Sequence, residues 1–189
     1  MARIISGQAR GRTLKVPPQG TRPTSDRAKE GLFSSLQVRF GFEGKKVADL
    51  FAGSGALGLE AASRGAAQVI LVESHGPAAA IIRENARKVG HPDVQVEETK
   101  VSTYLARAPR GYFDMVLADP PYDLAPESVR AMLEALIPAL APGAAVVVER
   151  HVASPETDWP EGFSPTGQKL KKRTYGIARM DMAVWRDEE

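Results

Sequence analysis

Asp119-Pro120-Pro121-Tyr122 is the group of neighbouring residues best suited to chemistry in this chain. It follows an apolar run, Phe113 to Ala118, that reads as a buried strand. A carboxylate, two prolines and an aromatic at a strand's end suit the holding of a planar amine for attack. The carboxylate accepts a hydrogen bond from N–H. The prolines fix the backbone and have no N–H of their own, so the segment presents carbonyl acceptors. The tyrosine ring offers a stacking face to a flat group. The plain alternative is a Pro-rich turn leaving a strand, and the surrounding elements must decide between the two.

A second constellation lies upstream. Asp49-Leu50-Phe51-Ala52-Gly53-Ser54-Gly55-Ala56-Leu57-Gly58 is a glycine-rich turn between a strand and a helix. Gly53 and Gly55 let backbone approach a ligand, and Gly58 lets the helix pack on the strand. A Gly-x-Gly turn can receive a dinucleotide phosphate at a helix N-terminus. Asp49 argues otherwise, because a carboxylate in the turn repels pyrophosphate and attracts a cation. S-adenosylmethionine carries an ammonium and a sulfonium and no phosphate. Glu73 falls at the end of the next strand, where an acid hydrogen-bonds ribose hydroxyls. A surface acid is the other reading of Glu73, and a tight turn alone the other reading of the glycines.

The elements that must position these residues alternate along the chain. Val47–Phe51, Gln68–Val72, Val94–Val96, Phe113–Ala118 and Ala144–Val148 read as strands. Leu57–Arg64, Pro77–Val89, a weak Ser102–Arg107 and Pro126–Leu140 read as helices. The pattern predicts an α/β fold with a mostly parallel, Rossmann-like sheet covered by helices on both faces. Ligands on such sheets sit at the carboxyl ends of the strands, where Asp49, Glu73 and Asp119 fall. Ahead of this unit, Arg3–Ile5 and Arg12–Val16 predict a small hairpin, and Thr24 or Ser25 caps a helix running to about Val38. Two further strands are expected, near 167–175 and 180–185. Residues 1–20 are expected to form a basic arm for RNA, mobile because of its Pro and Gly content, and residues 21–189 the catalytic domain.

The net charge of +2 conceals an asymmetry. Residues 1–40 hold eight Lys/Arg against two Asp/Glu, whereas residues 41–164 hold eleven against seventeen. Basic ends around an acidic middle predict a polyanionic partner, a basic tail that aids solubility being the alternative. Arg10, Arg12, Lys15, Arg22 and Arg27 are the expected RNA contacts, with Lys169, Lys171, Lys172 and Arg173 as a second patch. Thr24 and Ser25 either cap their helix or touch RNA. Lys171-Lys172-Arg173 also reads as a solvated strand edge. The chain has no cysteine, no membrane-length apolar run, no signal-peptide pattern and no metal-ligand spacing at His75, His91 or His151. A cytoplasmic, metal-free monomer is expected. Trp159 and Trp185 are read as packing residues.

Asp49 to Gly58, Glu73 and Asp119 to Tyr122 resemble the class I S-adenosylmethionine-dependent methyltransferases of amino groups. Arg3-Ile4-Ile5-Ser6-Gly7, Gly11-Arg12 and Arg22-Pro23-Thr24-Ser25-Asp26-Arg27-Ala28-Lys29-Glu30-Gly31-Leu32-Phe33 are similar to the amino-terminal signature of the 16S ribosomal RNA guanine-N2 methyltransferases that modify guanine 966. Ser63-Arg64-Gly65-Ala66 and Tyr175-Gly176 also fit. The resemblance implies S-adenosylmethionine held by Asp49, Phe51, Gly53, Ser54, Gly55, Gly58, Glu73, Ser74, Val101 and Asp119. It implies a catalytic group of Asp119, Pro120, Pro121 and Tyr122, RNA contacts that include Thr24, and 16S rRNA or a small-subunit ribosomal particle as partner. Asp119 and the Pro120 carbonyl would accept the two amine hydrogens, and Tyr122 would stack on a flipped base. The chain departs from the pattern twice. Lys100 and Val101 stand where the wider class often has an acid for the adenine amine, leaving Glu98 or backbone groups as the reader. Ile177-Ala178 follows Tyr175-Gly176 where an acid and a hydroxyl are frequent. The tetrapeptide alone does not choose the base, so an adenine-N6 methyltransferase on DNA or RNA is the alternative. A non-catalytic rRNA-binding assembly factor would not need the tetrapeptide, and protein-glutamine methyltransferases usually carry Asn in place of Asp119.

Overall fold

The computed structural model describes residues 2–18 and 24–186. A short hairpin, β1 (Ala2–Arg3) and β2 (Thr13–Leu14), comes first. It is followed by α1 (Asp26–Arg39), β3 (Lys46–Leu50), α2 (Ala56–Ser63), β4 (Gln68–Val72), α3 (Gly76–Val89) and β5 (Val94–Glu97). Then come α4 (Val101–Leu105), β6 (Phe113–Ala118), α5 (Pro126–Leu136), a 3-10 turn at Ile137–Ala139 and β7 (Leu140–His151). The chain closes with β8 (Phe163–Pro165), α6 (Leu170–Arg173), β9 (Thr174–Tyr175) and β10 (Ala178–Trp185).

The large sheet runs β5-β4-β3-β6-β7-β10-β8, with β9 beside β10. Strands β3 to β7 pair in parallel, and β10 lies antiparallel between β7 and β8. This is the mostly parallel α/β sheet that the sequence predicts. Side chains alternate across it, as a strand's period of two requires. Val47, Val69, Leu71, Met115, Leu117 and Val147 pack against α1, α2, α3 and the hairpin. Ala48, Leu50, Ile70, Val72, Val116 and Val148 pack against α4 and α5. Trp159 and Trp185 flank Phe163 at 5.4 and 5.1 Å, so both tryptophans are packing residues.

Register is what positions the site. Leu50 pairs with Val72 on one side and with Ala118 on the other, and Ala118 pairs with Val148. The carboxyl ends of β4, β3, β6 and β7 are therefore level. Glu73, Phe51, Asp119 and Glu149 emerge side by side, and the order of strands reverses between β3 and β6, where ligands bind such folds.

Three sequence expectations change. The segment 167–175 is a strand only at its end: Gly167, at φ +70°, turns the chain, α6 follows, and β9 pairs with β10. The buried Asp181 draws the segment inward, its Oδ1 accepting from Arg173 Nη1 at 2.5 Å. Strand β7 begins four residues before the expected Ala144, because an irregularity in its pairing with β6 absorbs Pro142 and Gly143. The amino-terminal hairpin is docked. Ala2, Ile4, Ala9 and Leu14 are buried in the same core as α1 and α2. The Glu60 carboxylate accepts from the Ile5 and Ser6 amides at 2.8 and 3.1 Å, and Ser63 Oγ accepts from Ala9 N at 2.9 Å.

Candidate active site

The glycine turn is built around a buried acid. Asp49 is 1 % exposed, and its Oδ2 accepts from Gly58 N at 2.8 Å. A Cβ on Gly58 would lie 2.9 Å from Leu71 Cδ2 and 3.0 Å from Asp49 Cβ, so only glycine leaves the carboxylate where it is. Asp49 Oδ1 is buried with no hydrogen-bond partner among the described residues. Burial pushes the Asp49 carboxyl up to about 8; the Gly58 amide opposes this and Glu73 adds to it. Phe51 adopts φ +60°, a conformation that costs a non-glycine residue about 1 kcal/mol or more and is characteristic of functional turns.

Glu73 fixes the other wall. Its Oε1 accepts from Gly53 N at 2.8 Å, and its Oε2 accepts from His75 N at 2.9 Å. A carboxylate has about four lone-pair sites, so acceptor capacity remains for hydroxyl donors.

A cavity of about 530 Å³ opens at these strand ends. It is lined by Asp49, Phe51, Gly53, Ser54, Glu73 and Ser74, and by all four of Asp119, Pro120, Pro121 and Tyr122. The two constellations, 61 residues apart between Gly58 and Asp119, thus face one space. Thr24 lines it too, with Val16 and His75, which the sequence reading did not single out. Gly55 and Gly58 lie behind the wall, where Gly55 begins α2 at φ +81° and Gly58 supports Asp49. Phe51, Glu73 and Ser74 also border a second, largely apolar cavity of about 520 Å³, lined by Lys100, Val101, Ser102, Leu105 and Met132 among others. Val101 therefore borders this second cavity and not the first. Glu98 is turned away, paired with Arg83 at 3.2 Å.

The tetrapeptide loop is held by residues the sequence reading passed over. Arg150 Nη1 donates to the Pro121 carbonyl at 3.1 Å, and Nη2 donates to the Tyr122 and Leu124 carbonyls at 3.1 and 3.0 Å. Burial holds the Arg150 guanidinium below its usual value, with Arg179 contributing and Asp119 opposing. Tyr122 Oη donates to Glu149 Oε1 at 3.3 Å, and Thr24 Oγ1 donates to Glu149 Oε2 at 3.1 Å. The Tyr122 ring meets His151 edge-on at 5.2 Å. The signal for these residues was a Glu-Arg pair directly following Val146-Val147-Val148 at a strand's end.

The expected RNA residues have different surroundings. Arg10 and Arg27 are exposed. Arg12 Nη1 donates to the Lys88 and Val89 carbonyls at 2.6 and 2.7 Å, closing the end of α3. Lys15 Nζ meets Glu84 at 2.8 Å. Arg22 lies outside the described residues. Ser25, and not Thr24, caps α1, its Oγ accepting from Ala28 N at 3.1 Å. In the second patch Arg173 is bound to Asp181 and Glu156, both at 2.5 Å, while Lys169, Lys171 and Lys172 remain exposed. Among the described residues no cluster of His, Asp or Glu has the form of a metal site.

A family model described as "Conserved hypothetical protein 95" matches residues 2–183. The chain belongs to this family. The "Ribosomal RNA small subunit methyltransferase D" of Haemophilus influenzae is 35% identical over 181 residues, covering 93% of this chain and 89% of that protein. The protein of the same name in Escherichia coli K12 is 39% identical over 121 residues, covering 64% of this chain and 60% of that one. Among solved structures, one titled "Putative methyltransferase yhhF from Escherichia coli" superposes with a TM-score of 0.79 at 32% identity, covering 99% of both chains. An RNA methyltransferase of Salinibacter ruber, in complex with S-adenosyl-L-homocysteine, shares the fold at a TM-score of 0.64 and 20% identity. The family therefore carries the methyltransferase fold.

Proposed function

We propose that this protein transfers a methyl group from S-adenosylmethionine to the exocyclic N2 of a guanine in 16S rRNA, of the guanine-966 type. One observation carries the reading: the amine-gripping tetrapeptide and the glycine turn with its two acids line a single cavity. The residues fit the cofactor. Asp49 Oδ1 is a buried acceptor lacking a donor among the described residues, suited to an ammonium, and Gly53 and Ser54 bring backbone to the cavity wall. Glu73 has acceptor sites for ribose hydroxyls. Val101, Ser74 and Phe51 border an apolar space suited to adenine, and Lys100 and Ser102 flank it. S-adenosylmethionine supplies an electrophilic methyl carried on a sulfonium.

The chain's own residues do the rest. Asp119 and the Pro120 carbonyl accept the two hydrogens of the amine, drawing nitrogen toward sp³ character and aiming its lone pair into the cavity. The Tyr122 ring stacks on the extruded base. Asp119 or a water takes the proton that leaves. Exclusion of water by the cavity wall favours loss of charge in the transfer. The protein works as a cytoplasmic monomer on rRNA or on a small-subunit particle, with residues 1–20 as its RNA-facing hairpin and residues 21–189 as the catalytic unit.

The test is incubation with labelled cofactor and naked 16S RNA, 30S particles or DNA, followed by identification of the methylated nucleoside. N2-methylguanosine is expected. N6-methyladenosine would transfer the reading to an adenine enzyme, and absence of transfer to every acceptor would support a binding factor. Asp119→Ala is expected to lower kcat at least ~100-fold while cofactor affinity, measured by calorimetry, stays within about threefold.

A further inference from the structure

Two consecutive prolines leave the catalytic loop with an anchoring problem. Pro120 and Pro121 have fixed φ but no N–H, so after Asp119 N, which donates to Leu50 O at 3.2 Å, the backbone offers no donor until Tyr122. Across these two residues the backbone handles are carbonyls. They must also be oriented, because the proposed grip on the amine uses a carbonyl as well as a carboxylate. The neighbouring strand supplies what is missing. Ala118 pairs with Val148, so Glu149 and Arg150 emerge beside Asp119 and Pro120. Consecutive strand residues point to opposite faces. Arg150 meets the Pro121, Tyr122 and Leu124 carbonyls at 3.0–3.1 Å. Glu149 meets the Tyr122 hydroxyl at 3.3 Å and ties it to Thr24 at 3.1 Å.

We propose that Glu149 and Arg150 are a positioning pair that grips the Asp119–Tyr122 loop from both faces of β7. The pair sets where the loop's carbonyl and ring stand during methyl transfer, and so rests on the reading above. The two side chains are 2 % and 5 % exposed, and a charge is not left so buried without partners to hold. Arginine is the residue for this task, because a planar guanidinium addresses several carbonyls at once and a lysine ammonium acts as a point donor. The Thr24 contact extends the grip to the segment that leads into α1, so the amine site and the amino-terminal signature are joined through one carboxylate.

Two measurements decide it: amide exchange in the Tyr122–Leu124 stretch, and steady-state kinetics with the RNA substrate. Arg150→Lys is expected to bind cofactor within about threefold of wild type and to lose at least ~30-fold in kcat at an unchanged KM for RNA. Exchange at Tyr122–Leu124 should quicken about tenfold or more while the β3 and β4 amides keep their protection. Glu149→Gln and Tyr122→Phe should lose kcat non-additively, the double variant being little worse than the poorer single one. The proposal is overturned if Arg150→Lys keeps kcat within about threefold, if loop exchange is unchanged, or if cofactor affinity falls in step with kcat. Additive losses in the Glu149–Tyr122 cycle overturn the Glu149 half. Should Arg150→Lys fail to fold, Arg150→Gln takes its place in both measurements, and the cycle, made of near-isosteric changes, still decides the Glu149 half. A wild-type protein that methylates no RNA would sink the functional reading instead, and loop exchange would still judge the clamp.

Discussion

Each acid at the site has a different surrounding, and the difference sets what it can do. Asp49 is sealed beneath the glycine turn, with one oxygen on the Gly58 amide and the other without a donor among the described residues. Its carboxyl is pushed up to about 8, mainly by burial, so the free protein holds it neutral at neutral pH. The sign follows from linkage. The folded state keeps a proton that the unfolded state gives up near its ordinary value of 3.8, so this group's contribution to stability is full below about pH 4 and is lost as pH rises toward 8. Thermal melts of the cofactor-free protein should show that slope, and Asp49→Asn should flatten it. Binding a cationic cofactor favours the ionised form, so calorimetry in buffers of different ionisation enthalpy should register proton release, which Asp49→Asn removes. Gly58→Ala should weaken cofactor binding by about tenfold or more, because the added methyl would stand 3.0 Å from Asp49 Cβ. Ordinary cofactor affinity in that variant would contradict the role given to this acid.

Two elements at the amino terminus owe their placement to buried contacts that no local pattern announces. Lys29 and Glu60 are 1 % and 0 % exposed and lie 3.4 Å apart, and Glu60 also receives the Ile5 and Ser6 amides and Arg64 Nε. One carboxylate thereby joins the hairpin, α1 and α2. Burial lowers the Lys29 ammonium from its usual value while Glu60 opposes the shift. Glu60→Ala would strand Lys29 and should cost about 3–5 kcal/mol in chemical denaturation. At the other end of the chain, the Tyr175 ring lies against α1 at Gly31, where a Cβ would come within 2.4 Å. The glycine inside that helix is explained by the tyrosine, and the two signature segments are in contact. Gly31→Ala should destabilise by about 1–3 kcal/mol, and a smaller residue at 175 should recover part of the loss. The hairpin, read from sequence as a mobile arm, is held because its buried alanines, Ile4 and Leu14 join the main core, a long-range outcome that Pro and Gly counts do not encode.

Over the whole molecule, Asp49, Glu73 and Asp119 line the cavity, and exposed Arg10 and Arg27 stand with the hairpin and α1. If these arginines meet phosphate, Arg10→Ala and Arg27→Ala should each reduce the salt slope of RNA binding by about one, with cofactor affinity untouched. Unchanged slopes would remove them from the interface. The sequence by itself determined the α/β alternation, the glycine turn, both cavity-lining acids and the tetrapeptide, because periodicity, turn chemistry and side-chain type are local properties. The family, too, was legible there, in the segments from Arg3 to Phe33 and in Asp119 to Tyr122. Only the tertiary structure decided which strand ends are level. That register brought Asp119 to the cavity of Asp49 and Glu73, and set Glu149 and Arg150 against a loop whose two prolines have no N–H to hold them. Strand order and register arise from packing between segments far apart in the chain, and a one-residue slip in β7 would have exchanged the faces on which that glutamate and arginine stand.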